Sequence, residues 1–269
     1  MKYQLLVLDI DGTTVDSNKH LPQRTADALI DLQNTGVRVV LASGRPPEGV
    51  YPIAEALQFE HFGSYILAFN GARIIDMKTR TCLFEKKLPR HIPIKLREDA
   101  LRYEIGIAAY QTGKIIAGTE PDQYMELESE VTGMPIEYCE DFAREEGISI
   151  NECLLTGPPE DLEAVEPVLT AKYLHEAQVF HSEPWYLEVT PKNIDKAYGL
   201  KHLLRILQIP REEMVCCGDS YNDIAMLQYA GLGAAMANAP DKVKFIADYV
   251  TERDNDHAGV TEVIERFFR

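Results

Sequence analysis

Close to its start the chain carries an unbroken apolar run, Leu5-Leu6-Val7-Leu8, which stops abruptly at Asp9-Ile10-Asp11-Gly12-Thr13. Apolar residues without alternation suit a strand covered on both faces, as in a parallel sheet flanked by helices, and such sheets gather ligands at the strands' carboxyl ends. The run therefore predicts a strand whose end delivers two carboxylates into a crevice. Two anions so close repel in a partly dry site, so either one is protonated or a hard cation such as Mg²⁺ lies between them. Gly12 permits a sharp exit from the strand, and Thr13 and Thr14 supply hydroxyl and amide groups that can fix the neighbouring oxygens. Asp-Gly is also an ordinary turn pair, and alone it marks only the end of a strand.

The same rhythm returns further on. Thr25 to Asn34 places Ala26, Leu29 and Ile30 at helical spacing with Gly36 as a stop, and the β-branched stretch Val37 to Ala42 ends in Ser43-Gly44-Arg45. Ile53 to Leu57 suggests another helix. Tyr65 to Phe69 reads as a third strand closed by the turn pair Asn70-Gly71, with a hairpin over Ala72 to Asp76 and Thr81 to Lys87. Strand, helix, strand and polar loop in this order predict an α/β fold, a doubly wound Rossmann-like parallel sheet. From about Pro89 the texture changes to helices over Ile94 to Tyr103 and Asp161 to Leu174 among short strands, with no acidic or phosphate-type loop. This stretch is expected to be an inserted α+β domain over 88–186, with the core over 1–87 and 187–269. Tyr186 to Thr190 is read as the strand returning to the core. Thereafter come the amphipathic stretch Asp195 to Leu207, the buried strand Met214 to Cys217, the loop Gly218-Asp219-Ser220, and a final alternation ending in a helix over Val260 to Phe268.

A length of 269 residues accommodates one core with a sizeable insertion. With 27 basic against 43 acidic residues the net charge is −16, which disfavours nucleic acid or an anionic membrane as a partner. An anionic ligand then needs local positive charge or a metal. No apolar stretch approaches the ~20 residues that span a bilayer, and the first residues lead straight into a strand, so a cytoplasmic protein is expected. The five cysteines, Cys82, Cys139, Cys153, Cys216 and Cys217, lack metal-type spacing and read as reduced thiols. Nothing in the pattern speaks to oligomeric state.

Four loops thus carry matched chemistry: Asp9 with Asp11, Ser43 with Gly44, Lys196, and Asp219 with Asn222 and Asp223. Each residue has a plain alternative: a turn at Ser43-Gly44, a solvated lysine at 196, a helix cap of the Ser-x-x-Asp type at Ser220 and Asp223. Their joint occurrence in this order is the signal. The set Asp-Ile-Asp-Gly-Thr (9–13), Ala-Ser-Gly-Arg (42–45), Asn-Gly (70–71), Asp-Lys (195–196), Gly-Asp-Ser-Tyr-Asn-Asp (218–223) and Ala-Asn-Ala (237–239) resembles the haloacid dehalogenase superfamily, and its Cof-type (subfamily IIB) phosphatases in particular.

That resemblance implies a haloacid dehalogenase-like core with a mobile cap and a Mg²⁺-dependent phosphatase of small phosphorylated metabolites, sugar phosphates among them. It casts Asp9 as nucleophile and Asp11 as general acid and base. Asp9, Asp219 and the main-chain carbonyl of Asp11 would hold the metal. Ile10, Ser43, Gly44, Lys196 and Asn222 would hold phosphate, with Asp223 orienting Lys196 or a metal-bound water. The chemistry supports these assignments, because an anionic ester resists an anionic nucleophile unless charge is neutralised and the displacement aligned. Asp11, near other acids, is expected to have a raised pKa suited to protonating the leaving alkoxide. Asn70-Gly71 is as consistent with a hairpin as with a substrate contact, and substrate choice is expected to lie in the insertion. Three rivals remain: a sugar-phosphate mutase or phosphotransferase, a phospho-accepting signalling domain, and a noncatalytic binding module. The second Asp two residues after the first argues against the signalling domain.

Overall fold

A computed structural model describes residues 2–111, 113–143 and 150–268. The chain forms two compact units, one of 1–84 with 195–269 and one of 85–194.

The first unit is built on an eight-stranded sheet in the order Tyr249–Val250, Leu232–Ala235, Met214–Gly218, Leu5–Leu8, Arg38–Ala42, Tyr65–Ala68, Arg73–Asp76, Thr81–Glu85. The first six are parallel, and Arg73–Asp76 runs antiparallel to Tyr65–Ala68. Burial explains the unbroken apolar runs. Leu5, Val7, Val40 and Ala42 pack on one side with Leu200, Leu203, Met226, Leu227 and Val243 of three later helices. Leu6, Leu8, Val39 and Leu41 alternate onto the opposite face and are equally inaccessible to solvent, so both faces are covered.

Leu5–Leu8 sits at the centre, with the next strands of the chain built outward on one side and the late strands on the other. The strand order reverses there, and the loops after Leu8, Ala42 and Gly218 leave the same edge. Such a switch point is where doubly wound sheets bind ligands.

The second unit holds a six-stranded sheet in the order Ala177–Glu183, Tyr186–Pro191, Cys153–Thr156, Gly106–Gln111, Lys114–Ala117, Ile136–Tyr138, antiparallel except for the last pair. The helices His91–Tyr103 and Pro159–Tyr173 bury Ile92, Leu96, Leu162 and Leu169 against Ile107, Leu155 and Leu187. Two features differ from the sequence reading. Tyr186–Pro191 does not return to the large sheet. It pairs with Cys153–Thr156 and Ala177–Glu183, so the second unit extends to Ile194. An unanticipated helix, Gln123–Thr132, starts at Asp122, whose side chain accepts the amides of Tyr124 and Met125. Only Met125 of that helix is buried, which left almost no apolar period to read.

All five cysteines are free thiols. Among the described residues no helix is long and apolar enough to cross a membrane.

Candidate active site

The strand Leu5–Leu8 hands directly to Asp9, whose amide donates to the Cys217 carbonyl at 3.0 Å, tying the first loop to the neighbouring strand. The chain then makes an irregular turn over Ile10–Thr14. Gly12 is required there twice over: its φ is +76°, and a Cβ would lie 2.3 Å from Asp219 Oδ2. The Thr14 hydroxyl donates to the Asp9 carbonyl at 2.5 Å, and the Thr13 hydroxyl donates to Asp219 Oδ1 at 2.8 Å.

Lys196 is fully buried at the first turn of the helix Lys196–Leu207, which Asp195 caps by accepting the Tyr198 amide at 2.6 Å. Its Nζ donates to Asp9 Oδ1 at 2.5 Å and to Asp223 Oδ1 at 2.6 Å. The other Asp223 oxygen accepts the amides of Asp219 at 3.0 Å and Ser220 at 2.9 Å. Asp223 therefore does two things at once, closing a reciprocal capping box with Ser220 while gripping Lys196. Oxygens of Asp9, Asp219 and Asp223 all lie within 4.8 Å of one another.

Three carboxylates around one ammonium leave negative charge uncompensated. Burial pushes the Asp9 carboxyl well above its ordinary range and the Asp223 charge adds to this, against the pull of Lys196. Asp219 is pushed up to about 6 by burial and by the charges of Asp223 and Asp11, with the Thr13 hydroxyl and Lys196 opposing. Burial alone would discharge Lys196, but Asp223 and Asp9 outweigh it and hold the ammonium charged. An all-oxygen donor set with surplus negative charge fits a hard divalent cation.

Asp11 departs from expectation. Its side chain is not among the converging carboxylates. It faces Arg45, which donates from Nε to Oδ2 at 2.8 Å and from Nη2 to Oδ1 at 2.6 Å, while Lys19 Nζ reaches Oδ1 at 2.7 Å. The raised pKa predicted from neighbouring acids is thereby corrected. Burial would raise it, but the bidentate Arg45 and then Lys19 override burial and lower it. Arg45 is itself fixed by donating from Nη1 to the Gly49 carbonyl at 3.1 Å.

Ser43 is buried at the end of Arg38–Ala42, its amide donating to the Leu67 carbonyl at 2.9 Å and its hydroxyl accepting the Arg45 amide at 3.1 Å. Gly44 follows without a side chain, and a Cβ there would meet Asn70 Nδ2 at 3.1 Å. Asn222 is exposed and donates from Nδ2 to Asn70 Oδ1 at 3.1 Å. The structure thus joins Asp9, Lys196, Asp219 and Asp223 in one cluster, ties Asn222 to the Ser43–Gly44 loop through Asn70, and turns Asp11 toward Arg45. Ile10 is fully buried beside Asp9.

Sequence reasoning gave no role to Asn238, which donates to the Gly12 carbonyl at 2.8 Å and to Asp219 Oδ2 at 3.3 Å. Its loop was legible as a small-residue turn, yet nothing in it announced a contact across the sheet edge. The Thr13 hydroxyl fixes a neighbouring oxygen as its sequence predicts, but that this oxygen belongs to Asp219, and that Arg45 forks onto Asp11, depend on which loops the topology makes neighbours.

The sequence profile of the haloacid dehalogenase-like hydrolases matches residues 6–264, and the chain belongs to that family. Within it the chain stands among the Cof-type phosphoric monoester hydrolases. It is 29% identical to the 5-amino-6-(5-phospho-D-ribitylamino)uracil phosphatase YcsE of Bacillus subtilis, over 98% of this chain and 95% of that protein. It is also 29% identical to the phosphatase YwpJ of the same organism, over 97% and 99%. A haloacid dehalogenase-like hydrolase from Bacteroides thetaiotaomicron superposes with a TM-score of 0.94 at 39% identity, covering 99% of this chain and 100% of the other.

Proposed function

We propose that this protein is a Mg²⁺-dependent phosphatase of small phosphorylated metabolites, sugar phosphates among them, acting through phosphorylation of Asp9. The observation that carries the reading is the buried Asp9–Lys196–Asp223 chain at the sheet's switch point, with Asp219 beside it and charge to spare for a cation. The relatives' activity on phosphate esters, a ribityl phosphate for YcsE, agrees with it.

Lys196 holds Asp9 by Oδ1, and Oδ2 is the attacking atom in this reading. A bond forms from Oδ2 to phosphorus as the ester P–O bond breaks, and the departing oxygen takes a proton from Asp11. Water then attacks the phosphorus of the aspartyl phosphate, giving its proton to Asp11 and restoring the Asp9 carboxylate. Ser43, Gly44, the Ile10 backbone, Lys196 and Asn222 hold the phosphoryl oxygens. Asp9, Asp219 and the Asp11 carbonyl would hold Mg²⁺, which would supply charge neutralisation for the phosphoryl group. Asp223 keeps Lys196 in place, and Arg45 sets where the Asp11 carboxyl can reach.

Phosphate release from p-nitrophenyl phosphate and a panel of sugar phosphates, before and after chelation and with Mg²⁺ restored, tests the proposal. Release that survives chelation contradicts it. Isomerised sugar phosphate without free phosphate would indicate a mutase instead.

A further inference from the structure

Phe69-Asn70-Gly71 follows the strand Tyr65–Ala68 and looks in the sequence like a device for turning a hairpin. Its backbone is unusual for that purpose. Phe69, Asn70 and Gly71 have φ of +51°, +51° and +99°, three successive residues in the left-handed region. Asn tolerates this conformation and Gly is indifferent to it, but Phe is strained there, and strain persists only where its surroundings hold it.

The surroundings are the loops of the proposed phosphate site. The Asn70 amide donates to the Ser43 carbonyl at 3.0 Å, and the Phe69 amide donates to the Arg45 carbonyl at 3.2 Å. Asn70 Oδ1 accepts from Asn222 Nδ2 at 3.1 Å, and Asn70 Nδ2 sits where a side chain on Gly44 would begin. Behind it, a Cβ on Gly71 would lie 2.4 Å from the Asp195 carbonyl and one on Gly199 2.8 Å from the Gly71 carbonyl, so the turn is pressed onto the helix that carries Lys196. Asn70 is buried, so its amide serves these neighbours and not bulk solvent.

We propose that Asn70 is a positioning residue: its side-chain amide sets the separation between the Ser43–Gly44 loop and Asn222, so that both meet the same phosphoryl group. Without the Oδ1 acceptor, Asn222, on the short turn Tyr221–Asp223, has lost the bond that fixes its rotamer. The proposal rests on the phosphatase reading, in which Ser43, Gly44 and Asn222 bind phosphate.

The test is a double-mutant cycle with p-nitrophenyl phosphate at saturating Mg²⁺, with inorganic phosphate as the competitive inhibitor. Asn70→Gly keeps the left-handed backbone and deletes the amide. Asn70→Gly and Asn222→Ala should each lower kcat/KM and weaken phosphate inhibition by about tenfold. The double variant should lose little more than either single one, because Asn222 without its acceptor is already misplaced. Additive losses, or an Asn70→Gly enzyme with unchanged kcat/KM and phosphate inhibition, would overturn the proposal. Should Asn70→Gly fail to fold, Asn70→Asp carries the same cycle. It is isosteric, tolerates the same backbone and still accepts from Asn222, so Asn222→Ala must retain its cost in that background. An Asn222→Ala change without cost there overturns the proposal as well. Failure of the underlying reading looks different: the wild-type enzyme itself would release no phosphate.

Discussion

The guanidinium of Arg45 lies edge to edge with the Asp11 carboxylate, Nε on Oδ2 at 2.8 Å and Nη2 on Oδ1 at 2.6 Å. Two residues from the proposed nucleophile, the carboxyl meant to move protons is thus held as an anion by a planar, five-donor partner. Asp11 rests as an anion ready for the base step; to serve as acid in the first step it must take up a proton on leaving these cations, and Arg45 sets where its carboxyl can reach.

Removing the fork should therefore damage proton transfer more than phosphate binding. For Arg45→Ala, kcat/KM on alkyl phosphates, which reports the steps up to departure of a leaving group that needs a proton, is expected to fall by about a hundredfold. On p-nitrophenyl phosphate, whose phenolate leaves unaided, the fall should be far smaller. Steady-state kinetics on the two esters checks this, and equal losses on both would assign Arg45 to phosphate binding instead.

The charge surplus around Lys196 predicts that Mg²⁺ stabilises the fold. At a hundredfold excess over its dissociation constant the gain is about 2.7 kcal/mol, a rise of several degrees in Tm. Asp219→Asn removes one carboxylate from the cluster and relieves repulsion, so its metal-free Tm should equal or exceed that of the wild type while the Mg²⁺ response disappears. Calorimetry of both proteins with and without Mg²⁺ is the measurement.

A separate pH effect belongs to the second unit. Glu152 is buried, its Oε2 has no hydrogen-bond partner among the described residues, and burial together with the charges of Glu188 and Glu128 pushes its carboxyl well up. Tyr110 of the adjacent strand shares this field and donates to Glu128 Oε1 at 2.9 Å. A carboxyl whose folded pKa exceeds its unfolded value binds its proton more tightly when folded. Its contribution is complete below the unfolded pKa and is lost as pH rises through the folded one. Glu152→Gln should thus be about 1 kcal/mol or more stabler than wild type above neutral pH and nearly equal to it in acid. Chemical denaturation at a series of pH values would show it, and a difference that does not vary with pH would refute the assignment.

Much of this architecture is legible in the chain. Leu5–Leu8, Arg38–Ala42 and Met214–Gly218 announce themselves because a strand buried on both faces must be apolar throughout, and the residues following each are polar because they end at the ligand edge. The Tyr186–Pro191 strand pairs in the second sheet and not the first, a choice its sequence does not express, because alternation specifies a strand but not its neighbour. The same gap hid the second tier of the site. Asp9, Lys196 and Asp219 could be named from residue type and order, whereas Arg45 on Asp11, Asn238 on Asp219 and Asn70 on Asn222 are contacts between loops distant in sequence. Asp11 has a lowered pKa where its chain neighbours predict a raised one, because acidic Asp9 is near in the chain and the stronger Arg45 fork is near only in space.

The central claim is that Asp9 itself is phosphorylated. Asp11→Asn leaves Asp9 intact but removes the base that activates water, and p-nitrophenyl phosphate needs no acid to expel its leaving group. Incubated with Mg²⁺ and this ester, Asp11→Asn should release one nitrophenolate per enzyme in a burst and then nearly stop. Peptide mass spectrometry should then find a hydroxylamine-sensitive phosphoryl group on Asp9. Steady release without a burst, or a phosphoryl group on any other residue, would contradict the account.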